Sequence, residues 1–183
     1  MIFRAKFIML LGLTLVYCGC NSPLTQQNNK PPTRQKITLD QDTVVTLQRT
    51  ACYRGCSPYK VTINAEGTVV FDGSKYVYDA KTGKETLQPL GTQKSSISQD
   101  QLQLLVSEFD RINYFALKDQ YTGGKDCPVY GTDAPSAYTS IQTNGKSKSI
   151  THYSGCTGSE TLRDLSALEA KIDEIADTKQ WLK

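Results

Sequence analysis

Several short segments in the first half of the chain are β-branched or alternate between apolar and polar positions. These predict strands at residues 43–50, at 59–64, at 68–72 with a continuation at 76–78, and at 86–90. The clearest alternation places Tyr59, Val61 and Ile63 on one face of a half-buried strand. Gly67 marks the turn into the next strand. Pro89 has no backbone donor, so the last segment fits a strand at a sheet edge.

The middle of the chain changes to a helical period. Ser98 followed three residues later by Gln101 forms a capping box, the signature of a helix N-terminus. The apolar stripe of the predicted helix consists of Leu102, Leu105, Val106, Phe109 and Ile112. A second helix is predicted over residues 159–176. Its stripe consists of Leu162, Leu165, Leu168, Ile172 and Ile175.

Between the two helices, residues 138–143 and 147–153 flank Asn144-Gly145, the strongest short signal for a β-hairpin. The order of strands, helix, strands, helix predicts an α+β fold. We expect an antiparallel sheet of about five to six strands with two helices packed on one face. Residues 118–135 have no clear period, and loops of this length are often functional or held by cross-links.

The N-terminus has the layout of an export signal. Arg4 and Lys6 precede an apolar run over residues 7–17, which ends at small and cysteine residues. The run is shorter than the roughly 20 apolar residues of a membrane-spanning helix. Residues 1–19 are therefore predicted to be a signal peptide and to be absent from the mature chain.

Cys20 is the candidate lipidation residue, because Gly19-Cys20 resembles the end of a bacterial lipoprotein signal. Tyr17 stands where leucine is usual, and Cys18 is a poorer candidate. Plain secretory cleavage near Gly19 is the alternative. Residues 20–36 are polar and proline-containing, too poor in apolar side chains to fold, and form a predicted tether. The expected location is outside the cytoplasm, anchored to a membrane on the periplasmic or extracellular side.

Charge and composition narrow the class of protein. The whole chain has a formal charge of +3, and without the signal 19 basic and 18 acidic residues leave +1. This balance gives no reason to propose a nucleic acid partner. Residues 37–183 fit a single globular domain of ordinary size.

Cys52, Cys56, Cys127 and Cys156 remain once the signal and the lipidated residue are set aside. An even number of cysteines in an oxidising compartment predicts two disulfides, with three possible pairings. Cys52–Cys56 with Cys127–Cys156 is favoured, because Gly55 lets the chain turn back between the first two.

Residues 52–59, CYRGCSPY, resemble a motif of an uncharacterised family of bacterial exported proteins and lipoproteins, that of domain of unknown function 6438. The family motif is Cys-aromatic-Gly-x-Cys-Pro-x-Tyr, and here Gly55 and Pro58 each stand one place later. The turn at Asn144-Gly145 and the pair His152-Tyr153 are similar as well. The resemblance covers about residues 43–175; it implies domain limits and no activity.

No catalytic, cofactor-binding or metal site is predicted. Cys52 and Cys56 enclose three residues, whereas thioredoxin-type pairs enclose two and begin a helix. His152 is the only histidine and fits a packed or solvent-facing side chain. Calcium at Asp119, Asp126 and Asp133 is a minor alternative, because their spacing is not that of an EF-hand.

The functional hypothesis is a non-enzymatic binding or structural module that engages an unknown protein or ligand. Eight tyrosines support it, because tyrosine combines apolar area with a polar group: Tyr53, Tyr59, Tyr76, Tyr78, Tyr121, Tyr130, Tyr138 and Tyr153. The alternative is a thiol-disulfide redox protein that uses Cys52 and Cys56.

Overall fold

A computed structural model describes residues 37–53 and 55–183. The predicted signal peptide 1–19, Cys20 with its lipidation, and the remainder of the tether lie outside the described residues, as does Arg54. The nine strands of the described part are β1 Val44–Arg49, β2 Tyr59–Asn64, β3 Thr68–Asp79, β4 Lys84–Ser96, β5 Gln120–Tyr121, β6 Val129–Tyr130, β7 Ser136–Thr143, β8 Lys146–Tyr153 and β9 Cys156–Thr157. The helices are α1 Gln99–Arg111, α2 Glu160–Ala176 and α3 Lys179–Leu182.

The main sheet has seven strands in the order β4-β3-β2-β1-β7-β8-β5. Its pairings are antiparallel except for β5 with β8, which is parallel. β6 and β9 form a separate antiparallel pair. Asn144 and Gly145 turn the β7–β8 hairpin with φ angles of 52° and 67°, the left-handed conformations that a tight hairpin requires.

Both long helices are capped by a serine, α1 by the predicted Ser98 and α2 by Ser159, the first residue of the predicted range. Ser98 accepts a hydrogen bond from the Gln101 backbone, and the Gln101 side chain accepts one from the Ser98 backbone. Ser159 caps α2 through the backbone of Leu162. Each helix buries one apolar stripe. The stripe of α2 ends at the buried Ala176, whereas the predicted Ile175 is half-buried.

Alternation along the strands separates two faces of the sheet. One face is apolar and packs against α1 and α2 in a single core, with Val45, Leu47, Val61, Ile63, Val69 and Ile141 fully buried. Most side chains of the opposite face are polar, Gln48 and Lys60 among them, and they are partly or fully exposed. Within the described residues, no helix is long and apolar enough to span a bilayer.

The observed fold is mixed α/β with a mainly antiparallel sheet, and the expected five to six strands and two helices were too few. β5, β6 and β9 have only two residues each, too short to show any alternation. Two of them lie inside the 118–135 segment, which has no period of its own. α3 is a single turn of four residues. β4 lies at the sheet edge but runs well beyond the predicted residues 86–90.

Candidate functional site

An open cleft of about 590 Å³ lies where β1 and β2 end and the β3–β4 hairpin continues beyond them. The pairing of β2 with β3 ends at Tyr59 opposite Gly73, so from Ser74 onward β3 pairs with β4 alone. The register of β3 and β4 shifts between Gly73 and Ser74, as at a β-bulge. The cleft therefore lies where the sheet narrows from four adjacent strands, β1 to β4, to β3 and β4 alone. The part of these two strands beyond Gly73 is the β3–β4 arm.

A row of polar side chains crosses the cleft on the face of the sheet that carries no helix. Gln48 pairs with Lys60, and Lys60 pairs with Asp72 on the next strand. All three residues are exposed and line the cleft. Tyr138 stands opposite Gln48 on β7 and extends the row; it is 41% exposed. An amide, an ammonium and a carboxylate thus face solvent side by side.

The loop closed by Cys52 and Cys56 stands beside the cleft, because its flanking residues Ala51 and Pro58 both line it. The Cα atoms of the two cysteines are 5.1 Å apart. Gly55 has a φ of 122°, a conformation that other residues rarely adopt. The loop projects Tyr53, which is 65% exposed, toward solvent.

The backbone on both sides of this loop is tied to neighbouring strands. The Thr50 backbone donates to the carbonyl of Ser136 at 2.9 Å, and the Ser136 backbone donates to the Thr50 hydroxyl at 2.9 Å. On the other side, the Tyr76 backbone donates to the Ser57 hydroxyl at 2.9 Å. The loop is thereby joined both to β7 and to the β3–β4 arm.

Beneath the cleft, Arg49 connects the sheet to α2. Its Nε lies 2.9 Å from Asp173 Oδ2 and 3.1 Å from the Tyr59 hydroxyl. Its Nη2 lies 2.9 Å from Asp173 Oδ2, and its Nη1 lies 3.5 Å from Glu169 Oε2. Tyr59 donates in turn to Asp173 Oδ1 at 2.5 Å, and Thr178 donates to the same oxygen at 3.0 Å. Arg49 and Tyr59 also line the cleft, so they belong to both structures.

His152 continues this network into the core. Its Nδ1 lies 2.8 Å from Glu169 Oε1, and its Nε2 lies 3.4 Å from the carbonyl oxygen of Cys156. His152 is 1% exposed and Glu169 is 2% exposed. The only histidine of the chain is thus a packed residue with charged and polar partners.

The surroundings raise the pKa of three groups in this network. Burial and the Asp173 carboxylate raise the pKa of Tyr59, so its hydroxyl stays protonated. Burial lowers the pKa of Arg49, but the acids around it outweigh this effect and the net change is upward. Burial also lowers the pKa of His152, and its hydrogen bond and charge interaction with Glu169 raise it above the ordinary 6.5.

The structure places the four cysteines in two pairs at disulfide distance. Cys127 and Cys156 have Cα atoms 5.0 Å apart and are buried, and they connect the β6–β9 pair to the core. Cys52 and Cys56 are only half-buried. Among the described elements, the one that follows this pair in the sequence is the strand β2, whereas a thioredoxin-type pair begins a helix, whose N-terminus lowers a thiol pKa.

The three loop aspartates do not converge. Asp119 pairs with Lys148, Asp126 lies 2.6 Å from Lys118 Nζ, and Asp133 accepts from Thr132. In the part of the chain that the structure describes, no group of three or more His, Cys, Asp or Glu residues is arranged to hold a metal ion. The calcium alternative therefore has no support from the structure.

Arg49, Glu169 and Asp173 were not among the residues predicted from the sequence. Alternation from Val45 and Leu47 puts Arg49 on the apolar face of β1. Glu169 and Asp173 continue the helical spacing of the α2 stripe, at positions where an apolar residue is expected. The sequence signal for this network was a set of charged residues at positions where the strand or helix period predicts burial, because buried charges need partners.

Comparison with known proteins identifies one family. A family model described as a domain of unknown function, DUF6438, matches residues 43–176. A search of the curated proteins finds no match. The matched range contains the cleft, both cysteine pairs and the network from Arg49 to His152.

Proposed function

The chain belongs to the DUF6438 family. We propose that it is an exported, lipid-anchored envelope protein whose DUF6438 domain is a non-enzymatic binding module. The binding surface in this proposal is the cleft beside the Cys52–Cys56 loop. The observation that carries it is the row of Gln48, Lys60 and Asp72 across the cleft, with hydrogen-bonding groups directed to solvent.

Export and anchoring are proposed from the N-terminal sequence. Residues 1–19 have a basic start and an apolar run, Cys20 follows a small residue, and residues 20–36 are a polar spacer. Two cysteine pairs at disulfide distance fit an oxidising compartment. An acylated Cys20 would attach the chain to a membrane on its periplasmic or extracellular side.

The intact mass of the membrane-extracted protein tests this part. We expect a chain that begins at Cys20 and carries acyl groups, and we expect a Cys20→Ser variant to lose the lipid mass and the membrane fraction. A chain that begins at Cys20 without lipid, or one that keeps residues 1–19, would rule out the anchor.

The cleft suits a polar or amphipathic partner, either a protein segment or a small ligand. Lys60 and Asp72 offer opposite charges on adjacent strands, and Gln48 offers both a donor and an acceptor. Tyr53 and Tyr138 add exposed aromatic area on either side. The mature charge of +1 does not favour nucleic acid.

Site-specific cross-linking in intact cells tests the cleft. A photoreactive amino acid at position 48 should give one discrete adduct, and Lys60→Glu in the same chain should reduce its yield about tenfold, the effect of losing one charge-assisted hydrogen bond. The matched control is position 104 on α1, where Leu104 is 63% exposed. Equal labelling at positions 48 and 104, or no effect of Lys60→Glu, would refute the proposed binding surface.

The second candidate is thiol-disulfide exchange by Cys52 and Cys56. The observation in its favour is their position beside the cleft, where a partner disulfide would meet them. Thiol titration of the native protein under graded reductant separates the two candidates. Ready reduction of this pair with a low thiol pKa would support redox activity, and four blocked cysteines would support a structural role.

A further inference from the structure

The hydrogen bonds of His152 define its protonation state. Nδ1 faces a carboxylate oxygen of Glu169 at 2.8 Å, and Nε2 faces the Cys156 carbonyl oxygen at 3.4 Å. Both partners are acceptors, whereas a neutral imidazole donates from one nitrogen only. The doubly protonated, positively charged ring is therefore the form that satisfies both bonds.

The charged and titratable groups around this ring come from four elements. α2 supplies Glu169 and β1 supplies Arg49, both of which act on the charge of His152. Tyr121 on β5 is the register partner of His152, and Tyr114, in the 3-10 turn Tyr114–Ala116, is acted on by the charge of Glu169. Burial raises the pKa of Tyr114, so its hydroxyl stays uncharged. The balance of charge is therefore set by the histidine, the glutamate and the arginine.

Along the network the charges alternate in sign. Protonated His152, Glu169, Arg49 and Asp173 sum to zero, and loss of the histidine proton leaves one uncompensated negative charge. His152 and Glu169 are almost fully buried. An uncompensated charge at such a site is strongly destabilising.

Glu169 and Asp173 lie one turn apart on α2 and hold it to different strands. Glu169 reaches His152 on β8, and Asp173 reaches Arg49 and Tyr59 at the ends of β1 and β2. Glu169 also meets Arg49 at 3.5 Å, so the two attachments share a residue. A change at His152 thus reaches two residues that line the cleft.

We propose that His152 and Glu169 form a proton-operated latch, closed when His152 is protonated, that holds α2 against β8 and fixes Arg49 and Tyr59 beneath the cleft. When the proton leaves, either Glu169 or the Cys156 carbonyl loses its donor, and α2 loosens from the sheet. A role for the latch in regulating binding rests on the proposed function of the cleft. The protonation-dependent contact between His152 and Glu169 does not.

The single histidine makes the latch measurable in the intact mature protein, purified without a histidine tag. An NMR titration follows the His152 ring, and hydrogen exchange follows the α2 amides and the Arg49 Nε proton. We expect the ring to titrate above its ordinary value of 6.5. We also expect the protection factors of the α2 amides to fall by about tenfold per pH unit between pH 6.5 and the midpoint of the His152 titration. Above that midpoint they should level off.

Two matched variants complete the test. Glu169→Gln should lower the His152 midpoint, whereas Glu174→Gln, on the same helix with a side chain 68% exposed, should leave it unchanged. A wild-type midpoint at or below 6.5, or α2 protection that is constant across the midpoint, overturns the latch even if Glu169→Gln does not fold. No ligand is present, so a failure here is distinct from a failure of the cross-linking test.

Discussion

Arg49 and Asp173 lie 124 residues apart in the chain and meet through a 2.9 Å contact between Nε and Oδ2. Their side chains are 21% and 16% exposed, so the pair lies at the border between core and solvent. It joins the end of the first strand to the last turns of α2. This guanidinium–carboxylate interaction therefore holds together two segments that are far apart in the chain.

Asp173→Asn should lower the free energy of unfolding by about 2 kcal/mol, below the full cost of breaking a buried pair because both groups are partly solvated. Equilibrium denaturation followed by fluorescence of Trp181, the single tryptophan, measures the change. Glu174→Gln is the control and should stay within about 0.5 kcal/mol of the wild type. Equal effects of the two substitutions would show that the Arg49 contact contributes little.

Stability should fall with rising pH because of His152. Its pKa is raised in the folded state, so the folded chain holds the proton over a window in which the unfolded chain has lost it. The added stability is fully present below pH 6.5 and is lost as the pH rises through the pKa of the folded state. It amounts to about 1.4 kcal/mol for each pH unit by which folding raises the pKa of His152. Denaturation curves between pH 6 and 9 should show this decline in the wild type and not in His152→Gln. A flat wild-type profile would contradict it.

Gly73→Ala should be destabilising by about 2 kcal/mol, the usual cost of forcing extra volume into a packed site. A Cβ at Gly73 would lie 2.7 Å from Tyr59 Cβ, 2.9 Å from Phe71 Cζ and 3.0 Å from the Pro58 carbonyl oxygen. Gly123→Ala is the matched control, because a Cβ there meets nothing within 4 Å. Thermal unfolding of the two variants should separate clearly, and a Gly73→Ala protein as stable as the wild type would mean that the bulge adjusts.

Removal of the two disulfides should have unequal effects. The Cys127–Cys156 pair closes a separation of 29 residues and the Cys52–Cys56 pair one of 4. The chain-entropy relation then gives about 3.5 kcal/mol for the first and about 2 kcal/mol for the second. Double serine variants of each pair, compared by denaturant midpoint, measure the difference. The reverse order would point to residual structure in the unfolded chain.

Local signals predicted most of the longer elements, although β4 runs well beyond its predicted residues. The alternation at Tyr59, Val61 and Ile63, the box of Ser98 with Gln101, and the Asn144-Gly145 turn all correspond to observed structure. Each depends on neighbours within a few residues, which is the range over which propensity and pattern act. The two-residue strands are too short to show a pattern. They are defined only by their pairing with residues that are distant in the sequence.

The network under the cleft could not be predicted in the same way. The phase of the strand directs Arg49 inward, and the helical period directs Glu169 and Asp173 inward, but neither pattern states which residues will meet. Their contact depends on where α2 crosses the sheet, which is a tertiary property. The cleft has the same origin, because Lys60 and Asp72 become neighbours only through the register of β2 and β3.

The short helix α3 has a consequence for where this domain ends. The match to the family model ends at residue 176, whereas Trp181 of α3 packs on Phe71 with ring centroids 4.7 Å apart. Thr178, also beyond the matched residues, donates to Asp173. The matched range and the packed domain therefore have different limits. A chain cut back to the matched residues would expose Phe71 to water and leave Asp173 with one donor fewer.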